Sequence, residues 1–256
     1  MADGSGAVQM RLLGASRGVD GGDLSEFYGY PTDRSGVWLR ANFIASLDGG
    51  ATFGGKSGEL GGPGDRAVFG ALREMADVIL VGAGTVRTEG YAGARPTVVQ
   101  RQRRQIRGQS EVPQIAIVSK SGRLERDMPI FTRTEVPPLV CTCTAAVEPT
   151  RRTLAGLADV IDCSLDDPDS VDSAAVLATL ADRGLPRVLT EGGPMLFSSF
   201  VERGLLDELC LTIAPSLVGG HAGRIATGSE QVLTAMRCAH ILSDDDGYLY
   251  TRYVRS

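Results

Sequence analysis

Three glycine-rich stretches carry the residues best suited to hold a phosphate-bearing ligand. They are SLDGG at 46–50, VGAGTV at 81–86 and TEGGP at 190–194, and each follows an apolar, strand-like run. Glycine lets a backbone approach a ligand closely, and the amide groups at the start of a following helix favour phosphate. Each stretch alone is compatible with a tight turn, but three at one edge of a sheet indicate a nucleotide-like ligand.

Other familiar catalytic patterns are missing from the sequence. Arg87 interrupts a G-x-G-x-x-G pattern, and no G-x-x-x-x-G-K-[ST], G-x-S-x-G or H-E-x-x-H occurs. This disfavours a standard dinucleotide fold, an ATPase and a triad hydrolase. Neither His221 nor His240 is near a glycine-rich stretch, and Cys141 and Cys143 form a C-x-C with no second pair, so no metal site is expected. A reductase fits better, because its hydride chemistry belongs to a cofactor.

Strands and helices must bring these stretches to one edge of a sheet. Apolar runs predict strands at 37–46, 77–82, 114–119, 138–144, 159–163, 187–190 and 206–213. Helical spacing predicts helices that begin at 64 and 194 and helices at 148–157 and 171–183. Glycine and proline predict irregular segments at 47–64 and 83–93.

The alternation of strands and helices predicts the fold class. We expect an α/β fold with a mixed, mostly parallel central sheet and helices on both faces. An acidic turn at 244–247 separates the strand-like runs 237–243 and 248–254, which predicts a C-terminal antiparallel hairpin.

Residues 1–36 are rich in Gly, Asp and Ser and predict an irregular N-terminal arm, pinned in part by its aromatic side chains. Residues 37–256 are expected to form a single domain. The basic stretch 100–108 has no apolar periodicity, so it is interpreted as a solvated loop or, alternatively, as a lid that meets an anionic ligand.

The composition is that of a globular protein. Of the 256 residues, 43% are hydrophobic and 22% are charged, which excludes a disordered, collagen-like or coiled-coil chain. No run approaches the roughly 18 apolar residues that indicate a membrane span, and residues 1–15 lack a secretory pattern. A cytoplasmic location without a membrane partner is therefore expected. The net charge of −5 argues against a nucleic-acid partner.

Four motifs in order resemble a known family. ASLDGG, the helix that carries Arg73, DVILVGAGTVRTEGY and TEGGPMLF are similar to the reductase domain of bacterial riboflavin biosynthesis, the RibD C-terminal domain family. The resemblance covers 37–254 and implies a dihydrofolate-reductase-like fold, NADPH as cofactor and a homodimer. The H-x-E and P-C-x-x-C motifs of the companion deaminase are absent from this sequence, so it resembles a stand-alone reductase domain.

The resemblance implies a set of cofactor-binding residues. Ile44 and Ala45 would pack by the nicotinamide, Ser119 and Lys120 would meet the adenosine ribose and its 2′-phosphate, and a glycine loop with a helix start would cradle the pyrophosphate. The remaining cofactor positions are Gly82, Thr85, Val86, Gly192, Gly193, Pro194, Met195, Leu196 and Phe197. A Cβ on Gly193 is expected to strike the pyrophosphate, so Gly193→Val should reduce cofactor affinity far more than thermal stability.

The resemblance also implies substrate-binding positions, and here the sequence departs from the family. The implied positions are Asn42, Ser57, Asp65, Arg73, Glu89, Arg95 and Glu191. Asn42 or Phe43 stands near the strand position where the family often has Lys, Glu59 stands where a large residue is usual, and Glu89 replaces the usual Asp. The departures concern the substrate side, whereas the cofactor side keeps the family pattern.

Asp65 opens the first predicted helix and has two interpretations. An aspartate at this place commonly caps the helix amide groups. In dihydrofolate reductases, however, a carboxylate from the corresponding helix binds the 2-amino and N3 edge of the pterin, where it accepts two parallel hydrogen bonds. Asp65 is therefore also a candidate catalytic residue that faces the pocket beside the nicotinamide.

The sequence therefore predicts an NADPH-dependent oxidoreductase that acts on a small pyrimidine or pterin. The leading substrate is the 5-amino-6-(5-phosphoribosylamino)uracil of riboflavin biosynthesis, reduced at the sugar. The alternative is reduction of a dihydropterin such as dihydrofolate. A non-catalytic nucleotide-binding protein on the same scaffold is a third possibility.

Overall fold

The computed structural model describes residues 9–12, 17–20, 24–33 and 36–256. The strands are β1 (Gln9–Leu12), β2 (Arg17–Asp20), β3 (Trp38–Ser46), β4 (Val78–Gly82), β5 (Gln114–Val118), β6 (Leu139–Thr142), β7 (Asp159–Asp162), β8 (Arg187–Thr190), β9 (Glu208–Ala214), β10 (Met236–Asp244) and β11 (Leu249–Arg255). The helices are α1 (Leu24–Phe27), α2 (Pro63–Met75), α3 (Ala83–Glu89), α4 (Val98–Ile106), α5 (Pro129–Thr132), α6 (Thr144–Thr153), α7 (Ser173–Asp182) and α8 (Pro194–Glu202). None of these helices is long and apolar enough to cross a membrane.

The strands form one sheet in the order β2-β1-β10-β11-β9-β3-β8-β4-β5-β6-β7. From β9 to β7 every neighbouring pair is parallel, whereas β9–β11, β11–β10, β10–β1 and β1–β2 are antiparallel. The predicted mixed, mostly parallel sheet and the C-terminal antiparallel hairpin are confirmed. All parallel strands end at the same edge, where ligands bind in such sheets.

Both faces of the sheet are covered, because its central strands are apolar on both sides. Strand β4 illustrates the alternation. Val78 and Leu80 pack in the core cluster that α7 and α8 cover, whereas Ile79 and Val81 pack in the cluster that α3 and α5 cover. A third cluster joins α1 and α2 to β8 and to the hairpin. The predicted helices on both faces are therefore present.

Two segments predicted as irregular or loop are helices. Residues 83–89 form α3, which Gly90 ends in a left-handed conformation with φ +67°. The basic stretch lies in α4, whose N-cap Thr97 forms a capping box with Gln100. The side chain of Arg104 is buried and donates to the carbonyl groups at the end of α2. Periodicity missed α4 because its buried face carries an arginine rather than an apolar residue. Helix α6 also begins at Thr144, four residues before the predicted start.

The described residues of the predicted N-terminal arm include two strands and a short helix. β1 pairs with β10 and with β2, and two arginines of the sheet bind the backbone at the end of α1. Arg40 Nη1 donates to Tyr28 O at 2.7 Å, and Arg252 Nη1 donates to Phe27 O at 2.7 Å. The remainder of the predicted arm, at 1–8, 13–16, 21–23 and 34–35, lies outside the described residues.

Candidate active site

A long cleft runs along the edge where the parallel strands end. Its volume is about 1410 Å³, which exceeds the roughly 300–1,000 Å³ of a typical small-molecule pocket. The ends of β3, β4, β5 and β8 and the starts of α2, α3 and α8 contribute its walls. The cleft is therefore large enough for two ligands placed end to end, as a reductase requires.

One half of the cleft is built from two glycine loops in contact. Gly82 N donates to Gly192 O at 3.0 Å, and a Cβ on Gly193 would lie 3.4 Å from Gly82 Cα. The first turn of α8 follows, and its amide groups at Met195 and Leu196 have no intrahelical acceptor. Such amides and the positive end of the helix dipole bind phosphate. The residues present fit the pyrophosphate of a dinucleotide.

The backbone of Gly193 has its own requirement for glycine. Its φ is +95° and that of Gly192 is +127°, in the range that side chains rarely adopt. Gly193→Val would therefore strain the folded backbone whether or not a ligand is bound. The variant should therefore lose thermal stability as well, so the prediction that it loses mainly cofactor affinity does not follow from this geometry.

The end of β5 supplies a cation to the same half. Lys120 is exposed and lines the cleft, next to the buried Ser119, whose amide donates to Cys141 O at 3.0 Å. The basic helix α4 does not line the cleft, so its predicted role as an anion-binding lid is wrong. Its arginines bind protein groups instead, since Arg101 pairs with Glu135 at 2.6 Å and Arg107 with Glu74 at 3.0 Å.

The other half of the cleft is centred on an ion pair. Arg73, in the last turn of α2, forms two hydrogen bonds of 2.6 Å with Glu191, and the Tyr91 hydroxyl donates to the same carboxylate at 2.9 Å. The Arg73 guanidinium also lies 4.2 Å from the centre of the Phe69 ring. The Arg73 side chain keeps 23% exposure, whereas Glu191 keeps 1%. The arginine therefore presents its open side to the cleft.

The electrostatics of this group fix its protonation states. Burial opposes the charge of Arg73, but the Glu191 carboxylate outweighs it and raises the pKa of the guanidinium. Burial, with a further contribution from Glu191, raises the pKa of Tyr91 well above its usual value. Arg73 is thus a permanent cation and Tyr91 a permanent hydrogen-bond donor, and the charge of Arg73 is already balanced by Glu191.

Ser57 and Glu89 are also brought together, although 32 residues separate them. Glu89 Oε1 accepts from the amide and from the hydroxyl of Ser57, both at 2.9 Å. The pair holds the glycine-rich segment before α2 against the end of α3. Both residues line the cleft. The hydrogen of the Ser57 hydroxyl is used in the hydrogen bond to Glu89.

Asp65 lies at the third position of α2, and Gly62 is the N-cap residue. The N-cap interpretation of Asp65 is therefore wrong. Its carboxylate lines the cleft, and burial raises its pKa, although a hydrogen bond from Thr212 and the charge of Arg66 act in the opposite direction. Asp65 thus belongs to the lining of the cleft.

Four predicted site residues do not line the cleft. Ala45, Val86 and Phe197 are buried in the core, where the Phe197 ring lies 4.6 Å from that of Phe43. Arg95 is exposed outside the cleft. Inward and outward positions of a short strand or helix differ by a single residue, which explains the first three. Arg95 follows α3 in a segment without periodicity, so its direction could not be derived.

The predicted residues that do line the cleft fall into two sets. The positions predicted to bind substrate that line the cleft are Asn42, Ser57, Asp65, Arg73, Glu89 and Glu191. The positions predicted to bind cofactor that line it are Ile44, Gly82, Thr85, Ser119, Lys120, Gly192, Gly193, Pro194, Met195 and Leu196. Sequence reasoning missed Phe69 and Tyr91. Phe69 lies one helical turn before Arg73 and Tyr91 ends the motif TEGY, so helical spacing and the motif itself carried a signal. Within the described residues, no group of His, Cys, Asp or Glu could hold a metal ion.

Comparison with known proteins identifies the family. A family model described as the RibD C-terminal domain matches residues 37–250. The chain belongs to this family. It is 27% identical to the 2,5-diamino-6-ribosylamino-4(3H)-pyrimidinone 5′-phosphate reductase of Archaeoglobus fulgidus, with 84% of this chain and 96% of that protein covered.

Two further relatives show how the domain occurs elsewhere. The chain is 28% identical to the riboflavin biosynthesis protein RibD of Chlamydia trachomatis over 75% of its own length, and it spans about half (49%) of that protein. The crystal structure of a pyrimidine reductase-like protein from Corynebacterium diphtheriae superimposes with a TM-score of 0.76 at 26% identity, covering 86% of this chain and 92% of that one. The predicted resemblance to the riboflavin reductase domain is confirmed.

Proposed function

We propose that this protein is an NADPH-dependent reductase that acts on a ribosylaminopyrimidine phosphate and reduces its sugar. The observation that carries the proposal is the continuous cleft, which joins a glycine cradle for phosphate to a polar half centred on Arg73 and Glu191. Pyrimidinone phosphate reductases among the relatives support the substrate class.

Different residues of the chain would bind the cofactor and the substrate in the two halves of the cleft. The loop at Gly192 and Gly193 and the first turn of α8 would hold the pyrophosphate, and Lys120 would meet the phosphate of the adenosine ribose. When bound, NADPH supplies the hydride that converts the ribosylamino group into a ribitylamino group. Arg73, fixed by Glu191 and Tyr91, would orient the polar sugar phosphate against it.

A second candidate function is the reduction of a dihydropterin. The observation that favours it is Asp65, a half-buried carboxylate in the substrate half of the cleft. A pterin presents an amino group and a ring N–H on one edge, and a carboxylate accepts both. Arg95, one of the few cations that a sugar phosphate could have used, lies outside the cleft.

The test is NADPH oxidation at 340 nm with the two substrates compared side by side. Turnover of the ribosylaminopyrimidine phosphate with higher kcat/KM supports the leading function, and faster turnover of dihydrofolate supports the second. Tight NADPH binding without consumption on either substrate contradicts both and supports a nucleotide-binding protein.

The preference for NADPH over NADH depends on Lys120. A charge-assisted hydrogen bond to the 2′-phosphate contributes about 1.5–3 kcal/mol, or roughly one to two decades of affinity. Lys120→Gln should weaken NADPH binding by that amount and leave NADH binding unchanged in a calorimetric titration. Lys56→Gln, at the chain's other lysine, is the matched control. Equal affinity of the unaltered protein for the two cofactors would contradict the assignment.

The homodimer and the cytoplasmic location stay predictions.

A further inference from the structure

The cation at the cofactor end of the cleft has carboxylates for neighbours. Lys120, which follows β5, lines the cleft together with Asp169 from the segment 163–172 between β7 and α7. In the strand order β8-β4-β5-β6-β7, that segment lies beyond Lys120 as seen from the glycine loops after β4 and β8. Negative charge therefore stands beside the lysine that would meet the adenosine ribose.

Hydrogen bonds hold this segment in place. Pro168 O accepts from the Ala145 amide of α6 at 3.0 Å. The Asp169 amide donates to Asp167 Oδ1 at 2.9 Å, which closes an Asx turn. The fold itself therefore positions both aspartates.

Asp167 is coupled to Lys120 by charge. Hydrogen bonds from the Asp169 amide and the Ser170 hydroxyl lower the pKa of its carboxyl group. The charge of Lys120 lowers the same pKa further, so the ammonium group lies within the field of this carboxylate. One oxygen of Asp167 closes the turn, and the other can attract the lysine.

The carboxylate of Asp169 is open. Its side chain is exposed and lines the cleft. Within the described part of the chain, no hydrogen bond or ion pair engages that side chain, and only its backbone amide is used in the turn. Both of its oxygens can therefore accept from a ligand at this end of the cleft.

The two nicotinamide cofactors differ only at the adenosine ribose. NADH carries a 2′-hydroxyl group, which can donate a hydrogen bond, whereas NADPH carries an anionic 2′-phosphate. A carboxylate at this ribose accepts from the hydroxyl and repels the phosphate, whereas a basic side chain attracts the phosphate. Lys120 and the two aspartates therefore act in opposite directions on the choice of cofactor.

We infer that Asp167 and Asp169 oppose Lys120 at the adenosine ribose and limit the preference of this protein for NADPH over NADH. Asp167 competes with the 2′-phosphate for the ammonium group of Lys120. Asp169 repels the phosphate and accepts from the 2′-hydroxyl of NADH. The inference rests on the proposed function and deepens its cofactor specificity.

Calorimetric titration of NADPH and NADH into each variant tests the inference without any need for turnover. Asp169→Asn removes the charge with little change of shape. It should tighten NADPH binding and weaken NADH binding, because a charged acceptor binds a hydroxyl group more strongly than a neutral one. The ratio of the two Kd values should shift about tenfold towards NADPH. An unchanged ratio would overturn the inference.

Asp167→Asn should have a different effect on the two cofactors. The asparagine oxygen still accepts from the amide of Asp169, so the turn is kept. NADPH should bind about threefold more tightly, the scale of an exposed ion pair, with NADH unchanged. The gain should disappear in a Lys120→Gln background, because the carboxylate then has no cation to compete for. A gain that persists there would overturn the competition assigned to Asp167.

Asp166→Asn is the matched control. It removes the same charge from the same segment, but Asp166 is exposed and does not line the cleft. The ratio of the two Kd values should equal that of the unaltered protein. A shift as large as in Asp169→Asn would show that net charge rather than position sets the ratio, which would overturn the inference.

Binding and turnover together separate failure of the inference from failure of the proposed function. The predicted Kd ratios without NADPH oxidation on any substrate would support the inference and contradict the reductase function. NADPH oxidation with equal Kd ratios in all variants would overturn the inference alone. Failure of both cofactors to bind would overturn the inference together with the proposed cofactor.

Discussion

The protein contains two arginine–glutamate pairs of similar geometry at opposite ends of its parallel strands. Arg73 and Glu191 meet at the carboxyl ends, in the cleft, whereas Arg40 and Glu208 meet near the amino ends of the neighbouring strands β3 and β9. In both pairs the shortest contact is 2.6 Å. Arg40 has no exposed side-chain surface, whereas Arg73 keeps 23% exposure.

The two arginines differ in what their N–H groups bind, and this difference explains their roles. Arg40 donates to both oxygens of Glu208 and to the carbonyl groups of Tyr28 and Gly29, and Arg252 binds the same carboxylate. Burial disfavours the charge of Glu208, but the two arginines outweigh it and lower the pKa of its carboxyl group. This network fastens the N-terminal segment to the sheet. The Arg73 pair keeps one side open and can serve a ligand.

The largest difference between the two pairs should appear in stability. Glu208→Ala leaves two arginines buried without their carboxylate, and breaking a buried pair in this way costs about 3–5 kcal/mol. Urea denaturation should show that loss in the free energy of unfolding. Folded Glu208→Ala protein should still bind NADPH with unchanged affinity, and weakened binding would contradict the separation of the two sites.

Lysine substitutions compare the two pairs directly, because lysine keeps the charge and loses the two-pronged geometry of arginine. Arg40→Lys should lower the free energy of unfolding by about 1.5–3 kcal/mol, the range for a charge-assisted hydrogen bond, with kcat/KM unchanged. Arg73→Lys should reduce kcat/KM roughly tenfold through the same loss, with a smaller change in unfolding. The reverse pattern would show that the cleft pair is the structural one.

The smallest predicted effect is a pH dependence at the buried network. His240 packs against the rings of Phe27 and Tyr28 at 5.6 and 5.3 Å, and burial, helped by the charge of Arg252, lowers its pKa to about 4. Above its ordinary value of 6.5 the histidine is neutral in both states. As the pH falls from 6.5 to about 4, only the unfolded chain takes up the proton, so stability declines.

His240→Gln should remove the part of the pH dependence of stability that comes from His240. Unfolding free energies measured at several pH values between 4 and 7 should fall less steeply in the variant than in the unaltered protein. NADPH affinity should show no such difference, since His240 lies outside the cleft. Identical slopes in the two proteins would indicate that His240 is protonated equally in both states.

The sequence by itself determined the strands from β3 to β11 and the glycine loops of the cleft, whereas β1 and β2 were not predicted. Strands such as β4 are continuous apolar runs, and glycines mark the loops after the strands, among them Gly49, Gly192 and Gly193 with positive φ. These signals are local, so a few consecutive residues suffice to recognise them. The common edge of the cleft then follows from the parallel order of the strands.

The family resemblance pointed to Arg73 and Glu191, but only the tertiary structure showed that they form an ion pair with each other in the cleft. Arg73 and Glu191 are 118 residues apart, and Arg40 and Glu208 are 168 apart, so nothing in the local pattern assigns one pair to the cleft and the other to the interior. The tertiary structure likewise decided that Asp65 lines the cleft and that Arg95 lies outside it. A charged side chain acts through the partners and the burial that distant segments give it, and these exist only after the chain has folded.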